Sequence, residues 1–296
     1  MKDRFASFHP LVNFVYFASI LVFSMLFMHP VLQAASLISA VVYSIMLNGK
    51  KAVKFNLLYM LPLLLVAAVL NPVFNHAGVT ILFYLKNGNP ITLESILYGI
   101  SAACMYVTVI IWFSCYNAVM TSDKFIYLFG KIMPALSLIF SMVLRFVPRY
   151  LAQIKVISNA QKCIGRDVTQ GNLLARARNG MTILSIMTTW ALENAIETAD
   201  SMKSRGYGLP GRTSFSLFRF DARDQSVMLV LIGLIALVLF GALMGENTIR
   251  FFPSVKWLAV TPRSIAVYIA YFGLCMVPVI INVVEDMKWK RIESRI

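Results

Sequence analysis

The sequence predicts an all-α integral membrane protein, with about six transmembrane helices and a cytoplasmic domain of two long amphipathic helices. Three observations carry this. Of the 296 residues, 59% are hydrophobic and only 14% are charged, whereas a soluble domain carries about 25% charged residues. Six stretches approach the ~20 mostly apolar residues needed to cross hydrocarbon. The basic excess, 27 Lys and Arg against 13 Asp and Glu, is distributed so as to set an orientation, because Lys and Arg near span ends are held on the cytoplasmic side.

Taken in chain order, the expected spans are residues 11–28, 31–47, 55–73, 93–120, 226–244 and 264–284. The short basic start, Met1 to Phe5, leads into an apolar run too long for a signal peptide and lacking a small-residue cleavage site, so the first span is expected to be retained. His29-Pro30 reads as a tight turn after it, and the basic stretch Gly-Lys-Lys-Ala-Val-Lys at 49–54 as a second turn. Asn71-Pro72 is expected to end the third span, and Asn87-Gly88-Asn89-Pro90 marks a loop before the fourth.

Residues 125–144 are apolar except for Lys131 and carry Gly130 and Pro134, so length alone allows a seventh crossing. Charge decides the matter. With the N-terminus inside and six spans, every basic residue but Lys86, Arg250, Lys256 and Arg263 lies inside. A crossing at 125–144 would export all the basic residues from Arg145 to Arg223, which the orientation rule disfavours. The run is therefore expected to be an interfacial or buried helix. The expected organisation is four spans in residues 1–120, a cytoplasmic region in 121–225, and two spans with a C-terminal tail in 226–296. Both termini are then cytoplasmic, in a multi-pass protein of the cell membrane.

Cys104, Cys115, Cys163 and Cys275 have no paired spacing and read as small core residues, and His9, His29 and His76 are scattered. No metal site is expected. Arg145 to Arg166, wound at 100° per residue, places Arg149, Lys155, Lys162 and Arg166 within roughly 140° of arc. Val147, Tyr150, Leu151, Ile154, Ile157 and Ile164 take the other side. The second helix, from about Leu173 to Ser204, spaces Leu174, Ala177, Met181, Leu184, Thr188, Ala191, Ala195, Thr198 and Met202 by threes and fours. Such a small-residue seam suits a close helix crossing. Glu193, Glu197 and Asp200 share another face, either solvated or paired with the basic side of the first helix.

Both helices end in breakers beside positive charge: Gly165-Arg166-Asp167, and Ser204-Arg205-Gly206 followed by Tyr207-Gly208-Leu209-Pro210-Gly211-Arg212. A cation at a helix C-terminus favours the macrodipole, which alone accounts for an arginine there. The density of Gly and Pro after Arg205 points further, to a rigid turn that presents the guanidinium.

The run from Ala199 to Gly208 (Ala-Asp-Ser-Met-Lys-Ser-Arg-Gly-Tyr-Gly) resembles the second signature of the transmembrane T-components of energy-coupling-factor (ECF) transporters, the family that includes cobalt permeases. Leu144-Arg145-Phe146-Val147-Pro148, Asn159-Ala160-Gln161-Lys162 and Leu209-Pro210-Gly211-Arg212-Thr213 are similar to the same family. The resemblance implies a non-catalytic subunit that joins two ABC-type ATPase subunits to a small substrate-binding membrane subunit within the lipid bilayer, for vitamin or transition-metal uptake. It implies that Ser204, Arg205 and Gly206 dock one ATPase; from their helix faces, Arg145, Arg149, Lys162, Glu193 and Glu197 are expected to support the coupling helices. At the first site the expected arginine is missing. Cys163, Ile164 and Gly165 stand there after Ala160-Gln161-Lys162, and Arg166 follows two residues late, either as a substitute in shifted register or beside a weakened site.

No catalytic residues are expected, and no cofactor in this chain: it has no Gly-rich loop ending in Lys-Ser or Lys-Thr, so ATP and Mg are left to the partner ATPases. A membrane enzyme would need paired acidic or histidine residues within the spans, where only Glu94 lies near an entrance. A stand-alone secondary transporter or channel would want polar residues or broken helices at mid-membrane, hinted at only by Pro62 and Pro278. Nucleic acid is not expected as a partner, because the basic region lacks interleaved aromatics.

Overall fold

The computed structural model describes residues 3–84, 88–130, 132–209, 218–255 and 261–294. Proline at the first helical position and a polar or glycine boundary set the early helices. α1 (Pro10–Leu26) starts behind His9, whose Nδ1 accepts from the Leu11 N–H at 3.2 Å. α2 (Pro30–Asn48) begins at the His29-Pro30 turn and stops at Gly49. α3 (Lys50–Phe55) continues through a π-helical turn, Asn56–Met60, into α4 (Leu61–Phe74), making one apolar rod of 25 residues.

Two local readings need correction. Pro72 does not end the third span but lies inside α4, which runs on to Phe74. A proline cannot donate to the carbonyl four residues back, here that of Ala68. That carbonyl is met by Gly99 of α5 (Leu93–Val119), where an added Cβ would lie 2.8 Å from the Ala68 oxygen and 3.2 Å from Pro72 Cδ. The α4–α5 crossing thus depends on a residue with no side chain, as close crossings in membranes commonly do. The loop before α5 also carries an unexpected antiparallel pair, β1 (Ile81–Tyr84) and β2 (Pro90–Thr92), with Ile81 opposite Thr92. Glu94 is buried behind it and accepts from Thr80 Oγ1 at 2.9 Å.

The chain continues with α6 (Ser122–Gly130), α7 (Pro134–Cys163), α8 (Leu173–Ser204), α9 (Ala222–Leu243) and α10 (Pro262–Glu293). The protein is an all-α membrane protein, and six of its described helices are long and apolar enough to span: α2, the α3–α4 rod, α5, α7, α9 and α10. The membership differs from the sequence reading. At 17 residues α1 is the shorter apolar helix, roughly 26 Å long at 1.5 Å per residue. The run expected to be one interfacial helix is broken between Gly130 and Pro134, and α7 carries its apolar second half straight into the basic segment.

The chain forms two compact units, residues 1–125 with 218–296, and residues 126–217. The first is centred on an aromatic cluster of Phe5, Tyr16, Phe17, Tyr43 and Trp112, all fully buried. Several polar atoms in and beside the cluster are paired: Trp112 Nε1 donates to Ser36 Oγ at 3.0 Å, Ser36 lies 2.8 Å from Ser24 Oγ, and Tyr16 donates to the Cys275 carbonyl at 3.0 Å. Above this cluster sits Asp3. Its carboxylate accepts from Asn282 Nδ2 (2.6 Å), Tyr43 Oη (3.0 Å) and the Ala6 N–H (3.1 Å). Lys124, only 6% exposed, donates to the carbonyls of Ala6 (2.5 Å) and Val119 (3.1 Å). Burial pushes its pKa down, partly opposed by the charge of Asp3.

Gly99→Val is expected to lower the stability of the detergent-solubilised protein by about 1–3 kcal/mol, the usual cost of overpacking. Gly233→Ala in α9, where a Cβ meets nothing within 4 Å, is expected to leave it unchanged or slightly raised. Thermal unfolding followed by circular dichroism distinguishes the two.

Candidate functional site

The second unit is essentially α7 and α8 packed on each other. Contacts run in antiparallel order: Ile157 packs with Ile183 and Met187 near the connecting loop, and Tyr150 packs edge-on to Trp190 further along. Beyond them Arg145 and Arg149 share a cavity with Asn194, Glu197 and Arg205. The helix ends at Ile164 and Arg205 therefore lie at opposite ends of the pair. Counting α7 from Arg145 to Ile164 at 1.5 Å per residue separates them by roughly 30 Å.

The two ends are built alike. At the end of α8 the Gly206 N–H donates to the Lys203 carbonyl (3.0 Å) and the Tyr207 N–H to that of Met202 (3.0 Å). At the end of α7 the Gly165 N–H donates to Lys162 (3.1 Å) and the Arg166 N–H to Gln161 (2.9 Å). Each is a paired-bond cap closed by a left-handed residue, with φ of +79° at Gly165 and +80° at Gly206. Superimposing the caps puts Ile164 in the position of Arg205, Gly165 in that of Gly206, and Arg166 in that of Tyr207. Ile164, Arg166, Ser204 and Arg205 are all exposed. The motif residues Pro210–Thr213 fall outside the described residues.

The support residues divide. Arg145, Arg149, Glu197 and Arg205 line one cavity, and Arg149 also lies over the Trp190 ring at 5.6 Å. Among the described residues Glu193, Glu197 and Asp200 form no ion pair with α7. Lys162 instead pairs with Asp167 at 3.3 Å. Asp167 organises the loop: its carboxylate accepts from the Thr169 N–H (2.9 Å) and Oγ1 (2.8 Å), and its carbonyl from Asn179 Nδ2 (3.0 Å). The Thr169 bonds, then Lys162, hold its pKa below the ordinary 3.8. Among the described residues no group of His, Cys, Asp and Glu is arranged to hold a metal ion.

The α8 seam expected from small-residue spacing is out of phase. Met181 and Leu184 are 65% and 66% exposed, while Ile183, Met187 and Asn194 are buried with Trp190 packed beside them. A large ring provides more contact area than a row of alanines, so Trp190 sets which side faces α7. On α7 only Ile157 of the expected apolar side is buried, with Tyr150 packed beside it; Val147, Leu151, Ile154 and Ile164 remain exposed.

The family model for CbiQ, cobalt transport protein, matches residues 4–217. The chain belongs to this family. Among curated proteins, the CbiQ-family chain is 35% identical over 104 residues to the energy-coupling factor transporter transmembrane protein EcfT of Lactobacillus helveticus, covering 34% of this chain and 38% of the relative. The Lactococcus lactis protein of the same name is 35% identical over 98 residues, 33% of this chain and 37% of the relative. That of Bacillus subtilis is 35% identical over 106 residues, 36% and 40%. The matched part of the chain spans about two fifths of the length of these relatives.

Sequence reasoning missed Asn194, Trp190 and Asp167. Asp167 carried a legible signal, since Asp-x-Thr is a turn in which the carboxylate bonds the backbone two residues on. Because its native pKa is depressed, Asp167 contributes loop stability that is fully present above the ordinary carboxylate pKa near 3.8 and lost as pH falls through its lower native value. Hydrogen-exchange protection at residues 166–172, taken relative to the intrinsic rate at each pH, is expected to fall over that acid window in the wild type, and already at neutral pH in Asp167→Ala.

Proposed function

We propose that this chain is the transmembrane coupling subunit of an ECF-type ABC importer. It transmits ATP-driven movement of two partner ABC-type ATPases to a separate small membrane subunit that binds the substrate, a vitamin or transition-metal ion. ATP and Mg belong to the partners, and the basic part of the second unit, from Arg145 on, and both termini face the cytoplasm. The observation that carries this reading is the pair of like-built helix ends, exposed and roughly 30 Å apart on one two-helix unit, with an arginine in the cap of the second.

The physical chemistry suits the task. A paired-bond cap closed by glycine is stiff, so the residue before the glycine is presented at a defined angle. Arg205 there offers a planar fork of donors that stays charged at any working pH and can hold a carboxylate bidentately. The apolar faces left exposed on α7 and α8, among them Val147, Leu151, Ile154, Met181, Leu184 and Ile196, supply area for burial against partners, while the charges set register and partner choice. Because Ile164 occupies the cap position that Arg205 holds on α8, the first site works differently. Ile164 contributes apolar contact there, and Arg166, one position beyond the glycine, supplies the charge.

Arg205→Glu is expected to weaken ATPase recovery with the tagged protein at least tenfold, since a desolvated interface charge left unpaired costs about 2–5 kcal/mol. Arg166→Ala is expected to cause a smaller loss. Co-purification in mild detergent with mass identification reads both. Undiminished ATPase recovery by Arg205→Glu contradicts the proposal, and full recovery by Arg166→Ala with stronger recovery by Ile164→Arg contradicts the assignment at the first site.

A further inference from the structure

The cavity between α7 and α8 has a chemistry that protein docking at the helix ends does not use. It measures about 1070 Å³ and is lined on its polar side by Arg145, Arg149 and Arg205 with Glu197. With Arg205 engaged at the helix end, two guanidiniums against one carboxylate leave one positive charge uncompensated. Among the described residues none of the four makes an ion pair. Asn194 lines the same cavity from α8 and is 7% exposed, and its amide nitrogen has no hydrogen-bond partner. A buried amide donor without an acceptor costs free energy, and an oxygen-rich anion seated in the cavity removes that cost through a turn of the amide.

The rest of the wall says which anion. Toward the start of α7 the lining is mainly apolar, with Leu138 and Met142 beside Ser141, and Phe146 follows Arg145. Here α7 changes from an apolar half, residues 134–144, to a basic one beginning at Arg145. A helix with that division meets headgroups at the change and hydrocarbon before it. Leu136, Ile139, Phe140 and Val143, on the same apolar half, are exposed and need covering. A phosphate that carries acyl chains satisfies both ends; a free phosphate or a partner's carboxylate satisfies only the basic one.

The geometry points to a binding site for the phosphodiester headgroup of an anionic phospholipid in this cavity. The phosphate is held by Arg145, Arg149 and Asn194, and the glycerol and upper acyl chain lie against Leu138, Met142 and Phe146. Lipid occupancy then places a bilayer component directly beside Arg205. This inference stands apart from the coupling reading, because it concerns a cavity within the α7–α8 unit and is tested without partner subunits.

The test is native mass spectrometry of the full chain purified with equal amounts of phosphatidylglycerol and phosphatidylcholine, with a parallel arm in phosphatidylcholine plus millimolar inorganic phosphate. Wild type is expected to retain phosphatidylglycerol preferentially. Arg145→Gln, at an exposed position, should weaken retention roughly fivefold, the worth of one cation near an anionic headgroup. Asn194→Asp, close in shape but negatively charged, should weaken it at least as much. Lys155→Gln, outside the cavity, should not change it, and circular dichroism checks that each variant keeps its helices. Retention insensitive to Arg145→Gln and Asn194→Asp overturns the site. Inorganic phosphate that binds in the neutral-lipid arm, displaces phosphatidylglycerol and is itself lost in both variants overturns the lipid assignment in favour of a free anion.

Discussion

Hydrocarbon offers no hydrogen bonds, so every polar group that a membrane protein buries must find its partner within the chain. The first unit is organised around that requirement. Asp3 accepts bonds from Tyr43 on α2, Asn282 on α10 and the Ala6 N–H in the N-terminal turn. Asn282 returns the tie by accepting from the Arg4 N–H at 2.8 Å. Lys124, at the start of α6, closes on the Ala6 carbonyl. The N-terminal residues thus act as a polar plug at one end of the aromatic cluster. Below it, Ser24, Ser36, Trp112 and Tyr271 pair with one another where no water is available to them. Gly99 answers a steric constraint: α5 passes so close to the Ala68 carbonyl and Pro72 of α4 that an added Cβ would lie 2.8 Å from that oxygen.

The second unit obeys a different logic. Its internal core is small, Ile157, Ile183 and Met187 with three partly buried neighbours, and most of its apolar side chains remain uncovered. A two-helix unit so constituted gains much of its burial from what it contacts rather than from itself. What it defines internally is the helix ends. The caps at Gly165 and Gly206 and the loop bonded through Asp167 are local hydrogen-bonded structures that need no large core. Rigid ends on a sparsely packed pair suit an element that transmits movement while its faces are occupied by other molecules.

Much of this was legible in the sequence. The glycines after Ile164 and Arg205 announced the helix ends, and the apolar runs announced the spans. What could not be read has physical causes. Spacing by threes and fours is shared by several sides of a long helix, so it could not tell that the bulk of Trp190 would outweigh the alanine row and turn Met181 and Leu184 outward. The effect of Pro72 depended on Gly99, which is distant in sequence. The equivalence of Ile164 with Arg205 is a statement about φ and hydrogen bonds, whereas counting residues from Arg166 gave only a shifted register. The pairing of Lys162 with Asp167 rather than with the acidic side of α8 arises from the loop folding back, and the cavity around Asn194 depends on where the two helices diverge.

The central claim is that the ends of α7 and α8 are the two points at which this subunit grips its ATPases. Photo-crosslinking from a reactive residue placed singly at Ile164 or Leu209, in membranes containing the assembled complex, tests it most directly. The account predicts a crosslink from each position to an ATPase subunit, with yields that change on adding a non-hydrolysable ATP analogue. Crosslinks from both positions only to lipid or to a small membrane protein, unaffected by nucleotide, would contradict it.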